Sequence, residues 1–415
     1  MYKVAFILNI KTYIPTSLSD VLTTIGIYLI IIGLFLSNAM KSIGIIAVCV
    51  SILFNNQSIK NSKIILKNAL YLSAICIACV YIFSIFRATD YFTYWNLANS
   101  KIAYLFFPLA IYNFSPPVHF WRTCLWIAVT AALFQSAYSL YYLFFYSSET
   151  IAALYSTGNI IDTFKIHHVQ ISILYSLLVL ILIYLFINEN EKKAHKIIYG
   201  ILAAWFFFML HILAVRSGIL LSYFFIIFYL ITSVKKISRK QFALALIGIV
   251  TGITMLCTFK TVQQRFHYLK YDYQQYLENK HTAIEYTDSR RLISIGVGLE
   301  IIQENKWLGC GLANINRACA EIYRKKYPTF AKDYYYLPHS QFIFFIACFG
   351  IPLGLLVCLL FIFPATYFLK QKKYVLFFSY LGLLLFATWD AWLGTLFGNS
   401  LYLLLIGAGI KKQWN

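Results

Sequence analysis

Six charged or titratable residues stand at the ends of long apolar runs or in the polar segments between them. They are Arg87, Arg216, Arg290, Arg291, His339 and Asp390. A guanidinium is permanently charged and binds phosphate oxygens in bidentate fashion, whereas a neutral imidazole can accept a proton near pH 7. Charge at the edge of an apolar segment is costly and needs a reason. Together these residue types favour the binding of a pyrophosphate beside a general base.

The composition indicates which elements must position these residues. The 415-residue chain is 60% hydrophobic and 12% charged, and its mean hydropathy is +0.70. A soluble protein would carry about a quarter charged residues. The composition therefore excludes an ordinary cytosolic enzyme, a nucleic-acid-binding domain and a disulfide-stapled secreted domain. It predicts an all-α polytopic membrane protein surrounded by membrane lipids.

Neither the positive charge nor the cysteines change this interpretation. The net charge of +20 comes mostly from Lys and Arg in short turns between apolar runs, and no basic stripe with interleaved aromatic residues indicates nucleic acid. Seven of the nine cysteines lie in apolar segments, as small core residues do. Only Cys310 and Cys319 lie in a long loop, where a disulfide is possible but not required.

Apolar runs predict about twelve transmembrane helices. They lie near 20–37, 42–55, 66–86, 101–114, 118–146, 168–187, 197–215, 218–234, 241–258, 340–364, 373–389 and 391–410. The second and fourth are short, because a span needs about 20 residues. The segment Arg216-Ser217-Gly218 is the expected break between two spans that could otherwise be mistaken for one long helix.

Basic residues predict the orientation of these helices. Alternate connections and the C-terminal tail contain Lys60, Lys63, Lys67, Lys192, Lys193, Lys196, Lys235, Lys236, Arg239, Lys240, Lys370, Lys372, Lys373, Lys411 and Lys412. With twelve spans, all of them fall on one side together with both termini, and the positive-inside rule makes that side cytoplasmic. The first apolar segment carries no cleavage-site pattern, so it is expected to remain as an anchor.

The connections 87–100, 147–167 and 259–339 are then expected to face outward. The last is too long for a structureless loop and is expected to form a small helical cap. The predicted organisation is transmembrane helices one to nine in 1–258, a cap carrying active-site residues in 259–339, and the last three helices with a cytoplasmic tail in 340–415. All six candidate residues fall on the outer side.

The outer segments contain no carboxylate pair, His-rich cluster or D-x-D pattern that would hold a divalent metal. Arginine would then neutralise a departing pyrophosphate, and neither a metal nor a cofactor is expected.

Each candidate also has a purely structural interpretation. Arg216 could extend to lipid headgroups, and the Arg290–Arg291 pair could be a solvated face of a cap helix. His339 could cap or pack at a helix start, Asp390 could pair with an outer arginine, and Arg87 could be an interfacial charge. The common location of these residues favours a functional site.

Three local patterns resemble motifs of the O-antigen ligase family, within the larger O-antigen ligase and polymerase superfamily. Leu-Ala-Val-Arg-Ser-Gly at 213–218 resembles the short S/T-R-x break between adjacent spans. Asp-Ser-Arg-Arg-Leu at 288–292, continuing to Gly-Leu at 298–299, resembles the cap motif in which R-L opens a helix. Leu-Pro-His-Ser-Gln at 337–341, followed by Gly-Ile-Pro-Leu-Gly at 350–354, resembles the H-N-x-x-x motif and its Gly-rich continuation.

The sequence departs from these motifs at two places. Ser340 stands where many members carry Asn, and two adjacent arginines stand where one is expected. The register favours Arg291 because Leu292 follows it directly, but Arg290 stays an alternative. The segment 307–311 resembles the P-L-x-G-x-G turn of the superfamily, with a lysine in place of the proline.

The resemblance implies a GT-C-like glycosyltransferase that acts at the outer face of a bacterial inner membrane, inverts the sugar configuration and needs no metal. The donor would be a glycan on undecaprenyl pyrophosphate, and the acceptor a sugar hydroxyl of lipid A–core. His339 would be the general base and Arg216 and Arg291 catalytic. Three further residues would bind the substrate, either at the pyrophosphate or at the mouth of the site. They are Arg290, Asp390 and Arg87.

Other functions stay open. An O-antigen polymerase or a ligase that attaches glycan to protein would share most of these motifs. A polysaccharide transporter or flippase would be expected to show paired repeats and helices broken near mid-bilayer, whereas the polar groups here lie at one mouth. A membrane scaffold would not need the outer arginines.

Overall fold

The protein is a bundle of helices, and all regular secondary structure in its described residues is helical. The computed structural model describes residues 17–55, 58–145, 166–187, 192–213, 215–233, 239–258, 260–278 and 287–410. Almost all of the expected loop 147–167 lies outside these residues. So do the basic residues Lys235, Lys236, Lys411 and Lys412.

In the described residues before the segment expected to form a cap, the chain forms eleven α-helices. They are α1 (Leu18–Leu36), α2 (Asn38–Val50), α3 (Ser58–Ile65), α4 (Ala69–Phe83), α5 (Tyr91–Ala98), α6 (Ala103–Asn113), α7 (Phe120–Phe145), α8 (His168–Ile187), α9 (Lys193–Leu213), α10 (Arg216–Ser233) and α11 (Arg239–Thr258), as the described residues show them. The 3-10 turns Ser51–Phe54 and Ser84–Arg87 extend α2 and α4.

The rest of the described chain is also helical. It forms α12 (Lys260–Glu278), α13 (Thr287–Glu304), α14 (Ile315–Lys326), α15 (Gln341–Lys370), α16 (Tyr374–Ala387) and α17 (Leu396–Ile410). The first three lie in the segment 259–339, and α13 includes the helix expected over 291–303.

Length and composition make this an all-α, multi-pass membrane protein. Among the described residues, six helices are long and apolar enough to cross a membrane: α1, α4 with its 3-10 turn, α7, α8, α9 and α15. Shorter apolar helices lie at most of the other expected spans. The expected fourth span is the 11-residue helix α6, which at 1.5 Å per residue is about half the thickness of the hydrocarbon core. The total of twelve spans stays a prediction.

The expected break between the two adjacent spans exists and lies slightly earlier than predicted. Helix α9 ends at Leu213, and α10 begins at Arg216. The start of α10 is fixed against α8, because the hydroxyl of Ser176 on α8 donates to the carbonyl of Gly218 (2.7 Å). This packing holds Arg216 at one end of the bundle.

Helix α15 is interrupted at Gly350, whose φ of 79° favours glycine. The turn that follows α13 fits into the interruption: the amide of Cys310 donates to the carbonyl of Ala347 (2.9 Å), and that of Ile351 donates to Lys306 (2.7 Å). A β-carbon at Gly350 would lie 2.2 Å from the carbonyl oxygen of Trp307. Glycine is therefore required for α13 and α15 to dock here.

Candidate active site

The first turn of α13 is held in place by a buried carboxylate of the preceding helix. Asp272 of α12 accepts hydrogen bonds from the backbone amides of Asp288 (2.8 Å) and Ser289 (3.2 Å), and also from the hydroxyl of Ser289. These amides belong to the four that a helix leaves unsatisfied at its N-terminus, and a negative charge there also favours the helix dipole. These hydrogen bonds fix the first turn of α13 and therefore the positions of Arg290 and Arg291, which follow it directly.

Asp288 joins the two arginines that the sequence had placed far apart. Its carboxylate lies 2.7 Å from the guanidinium of Arg216 and 3.6 Å from that of Arg291. The two arginine side chains are 35% and 27% exposed, so they are neither buried nor fully solvated. A guanidinium has five N–H donors. Asp288 engages only some of them, which leaves donors on both arginines for an anionic ligand.

His339 lies next to this pair through a contact with α13. Its Nδ1 lies 2.8 Å from the Oγ of Ser294, and its backbone amide donates to the same oxygen (3.1 Å). Ser294 is three residues after Arg291 on α13, and its hydroxyl also bonds the carbonyl of Arg291 (2.8 Å). The imidazole and the Arg291 turn are therefore directly connected.

The surroundings keep His339 neutral. Burial lowers the pKa of its imidazole below the ordinary value of 6.5; Asp390 opposes this shift, and the positive charges of Arg291 and Arg290 add to it. A lowered pKa leaves the ring neutral and able to accept a proton at pH 7.

The structure distinguishes the two adjacent arginines. The guanidinium of Arg290 lies over the ring of Tyr336, 4.8 Å from its centroid, and 5.9 Å from that of Tyr334. Arg291 instead shares Asp288 with Arg216. The register of the sequence favours Arg291 as the residue at the site, and that choice stays a prediction.

Asp390 lies close enough to His339 to act on it electrostatically. Its carboxylate accepts a hydrogen bond from the amide of Ala391 (2.8 Å), and among the described residues it forms no ion pair with an arginine. The turn after it is fixed at Leu393, whose amide donates to Gln341 (2.7 Å) and whose carbonyl accepts from the ammonium of Lys101. Asp390 is thus placed beside His339 by a buried polar network.

Arg87 is not part of this cluster. Its guanidinium donates to the backbone carbonyls of Leu308 and Gly309 (3.0 Å for the second), which follow the C-terminus of α13. Arg291 lies 13 residues before the end of that helix at Glu304, which is about 20 Å along the helix axis. Arg87 therefore supports the turn that enters the break in α15.

Three buried residues that organise the site were not found from the sequence. Asp272 carried no signal, because it lies in a Tyr-rich polar stretch with no capping pattern. Ser294 is three residues after Arg291, a spacing that places both on one helix face, and this could have drawn attention to it. Lys101 could have been noticed as a charge at the edge of an apolar run.

Within the described residues, no group of three or more His, Cys, Asp or Glu side chains is arranged to hold a metal ion. Cys310 and Cys319 are both free thiols.

The segment that carries most of this cluster matches a known family. The family model described as O-antigen ligase matches residues 201–358. This stretch is an O-antigen ligase domain. The matched region contains Arg216, Asp288, Arg291 and His339, whereas Asp390 lies beyond it. No curated protein matches the chain significantly.

This match confirms the resemblance to the O-antigen ligase family over residues 201–358. The match suggests a glycosyltransferase-like ligase or polymerase, which agrees with a multi-pass helical membrane protein.

Proposed function

We propose that this chain is an O-antigen ligase that transfers a glycan from undecaprenyl pyrophosphate to a sugar hydroxyl of lipid A–core. The reaction inverts the anomeric configuration, requires no metal and takes place at the periplasmic face of the bacterial inner membrane. The observation that carries the proposal is the convergence of Arg216 and Arg291 on Asp288, directly beside a neutral His339.

The proposed arrangement in the membrane has twelve spans, cytoplasmic termini and a GT-C-like architecture with 259–339 as a periplasmic cap. A reporter fused after Lys240 should indicate the cytoplasm, and one inserted within 265–335 should indicate the periplasm. If both fusions indicate the same side, this arrangement is wrong.

Arg216 and Arg291 bind the pyrophosphate of the donor through the donors that Asp288 leaves available. Asp288 holds the two guanidiniums near each other before the donor arrives, which reduces the entropy lost on binding. Two arginines and one carboxylate give this group a net charge of +1, and Arg290 adds another positive charge nearby. The positive excess stabilises the charge that grows on the departing pyrophosphate.

The transfer is a single displacement. The acceptor hydroxyl oxygen attacks the anomeric carbon on the face opposite the pyrophosphate, and the new C–O bond forms as the bond to the phosphate oxygen breaks. The leaving oxygen keeps the bonding electron pair, and the Nε2 atom of His339 takes the hydroxyl proton. Attack from the opposite face inverts the configuration.

Metal independence has its own test. Purified protein with lipid-linked donor and lipid A–core should transfer glycan in excess chelator as fast as without it. Loss of activity with chelator, and its recovery with magnesium or manganese, would contradict a mechanism in which arginines alone neutralise the pyrophosphate.

Deletion of the gene tests the reaction itself. A ligase predicts that lipopolysaccharide loses its long glycan while lipid-linked polymer accumulates. Short ligated units would indicate a polymerase, glycan lost from protein would indicate a protein ligase, and lipid-linked glycan confined to the cytoplasmic leaflet would indicate a flippase. Complementation by Arg317→Ala, which changes an exposed arginine of α14, is the matched control for the site variants.

A further inference from the structure

The hydroxyl of Ser294 takes part in three contacts at the centre of the site. It accepts from the backbone amide of His339 (3.1 Å), lies 2.8 Å from the Nδ1 of the same residue, and lies 2.8 Å from the carbonyl oxygen of Arg291. The side chain is fully buried, so water does not compete for these contacts. A buried hydroxyl with three polar neighbours constrains where each proton can be.

The protons can be assigned by counting donors and acceptors. A serine hydroxyl has one proton and two lone pairs. The amide of His339 occupies one lone pair, and the carbonyl of Arg291 can only accept, so its bond uses the hydroxyl proton. The remaining lone pair must then receive a proton from Nδ1. All three hydrogen bonds form together only when the imidazole carries its proton on Nδ1.

This assignment leaves Nε2 without a proton. The same contacts survive when Nε2 becomes protonated, because the imidazolium still donates from Nδ1 to Ser294. In the opposite arrangement, with the hydroxyl donating to Nδ1, the bond would be lost as soon as the imidazolium formed. The observed geometry therefore suits a histidine that accepts a proton at Nε2.

We propose that Ser294 is a positioning residue, which fixes the Nδ1-protonated tautomer of His339 and presents Nε2 as the proton acceptor. The catalytic part of this inference, that Nε2 accepts the proton of the acceptor hydroxyl, rests on the proposed function. Its structural part, the tautomer, does not depend on which glycan is transferred. Ser294 also donates to the carbonyl of Arg291, so one turn of α13 positions both the base and the arginine that we propose to bind phosphate.

A purely structural role makes a different prediction. Buried serines elsewhere in the bundle also donate to a backbone carbonyl in the preceding turn, as Ser400 does to Leu396 (2.7 Å). If Ser294 only satisfies its own hydroxyl, Ser294→Ala and Ser400→Ala should lose similar stability and keep full turnover per folded molecule. Ser400→Ala is therefore the matched control.

The first measurement is steady-state transfer with lipid-linked donor and lipid A–core, normalised to folded protein. Ser294→Ala should lower kcat about 10- to 100-fold with KM for the donor changed less than about 3-fold, because a misoriented base affects the transition state rather than binding. Ser294→Thr keeps the hydroxyl and should recover most of the rate. In a His339→Gln background Ser294→Ala should have no further effect on kcat, since the residue acts through His339.

The second measurement does not require activity. In protein with ¹⁵N-labelled histidine rings, the His339 signals, assigned by their loss in His339→Gln, should show a protonated Nδ1 and an unprotonated Nε2. In Ser294→Ala this tautomer preference should be lost. Wild-type kcat in Ser294→Ala, an equal loss in both backgrounds, or a wild-type tautomer signal in Ser294→Ala would overturn the inference. A protein with the expected tautomer but no glycan transfer would contradict the proposed function and leave the tautomer assignment intact.

Discussion

Arginines lie close to both ends of α13, and those at the two ends have different partners. At the C-terminal end, Arg87 donates to the carbonyls of Leu308 and Gly309, backbone groups that need a donor. At the N-terminal end, Arg216 and Arg291 share a single carboxylate and keep donors for a ligand. The difference teaches that arginines at similar locations in the sequence are distinguished by the type of their partner, backbone carbonyls at one end and a side-chain carboxylate at the other.

The same comparison holds for the groups around the arginines. The C-terminal end is completed by backbone contacts between the turn 306–311 and the break at Gly350. The N-terminal end adds side chains that titrate or hydrogen-bond, namely His339, Ser294 and Asp390. One end therefore connects α13 to α15 through backbone groups, whereas the other brings titratable side chains together.

The largest expected effect is at the imidazole of the N-terminal end. His339→Gln should reduce glycan transfer per folded molecule by about 10²–10⁴, which is the usual cost of losing a positioned base. Folding and donor binding should change little. Turnover normalised to folded protein is the measurement, and a wild-type value in His339→Gln would remove the residue from the mechanism.

The next effect is at the two arginines that share the carboxylate of Asp288. Arg216→Ala and Arg291→Ala should each lower transfer about 10²–10³-fold, as the loss of one oxyanion-stabilising donor does. Lysine at either position should restore activity only in part, because it keeps the charge and loses the bidentate fork. Transfer assays with Arg317→Ala as control test this, and full activity in Arg216→Ala would show that the pair does not bind pyrophosphate.

The comparison between the two ends of α13 depends on a structural role for Arg87. Arg87→Ala should leave turnover per folded molecule near wild type and lower the free energy of unfolding by about 1 kcal/mol, because two charge-assisted hydrogen bonds at an exposed position are lost. Thermal unfolding in detergent together with normalised turnover decides this. A loss of turnover as large as that of Arg216→Ala, without a loss of stability, would place Arg87 at the substrate.

Sequence patterns predicted the all-α membrane class and most of the helices that the described residues show, and they selected the charged residues that we propose for the site. Apolar runs are the direct physical requirement for a helix in lipid, so the spans, and the break before Arg216, could be read from composition. The register of the neighbouring residues favours Arg291 over Arg290, and this choice stays a prediction. What could not be predicted was how residues distant in the chain meet: Arg216 and Asp288 are 72 positions apart.

The buried polar groups explain this limit. Asp272 caps a helix that starts 15 residues after it, and Lys101 bonds the carbonyl of Leu393 in a distant turn. Such contacts depend on tertiary packing rather than on local spacing. A single serine or aspartate in a polar stretch has no sequence signature for them.

The smallest expected effect is a change in the pH dependence of transfer, caused by the charged residues around His339. It tests whether the N-terminal end of α13 differs from the C-terminal end in having a titrating group. Transfer requires the neutral imidazole, so the rate should rise as pH increases through its pKa, which lies below the ordinary 6.5. Asp390 raises this pKa, so Asp390→Asn should move the acid limb of the kcat profile to lower pH. Arg290 lowers it, so Arg290→Gln should move the limb to higher pH.

Glu321→Gln, an exposed change on α14 that does not act on His339, should leave the limb in place. Measured kcat between about pH 5 and 8 distinguishes these cases, and shifts of the same sign in Asp390→Asn and Arg290→Gln would mean that neither charge acts on the base.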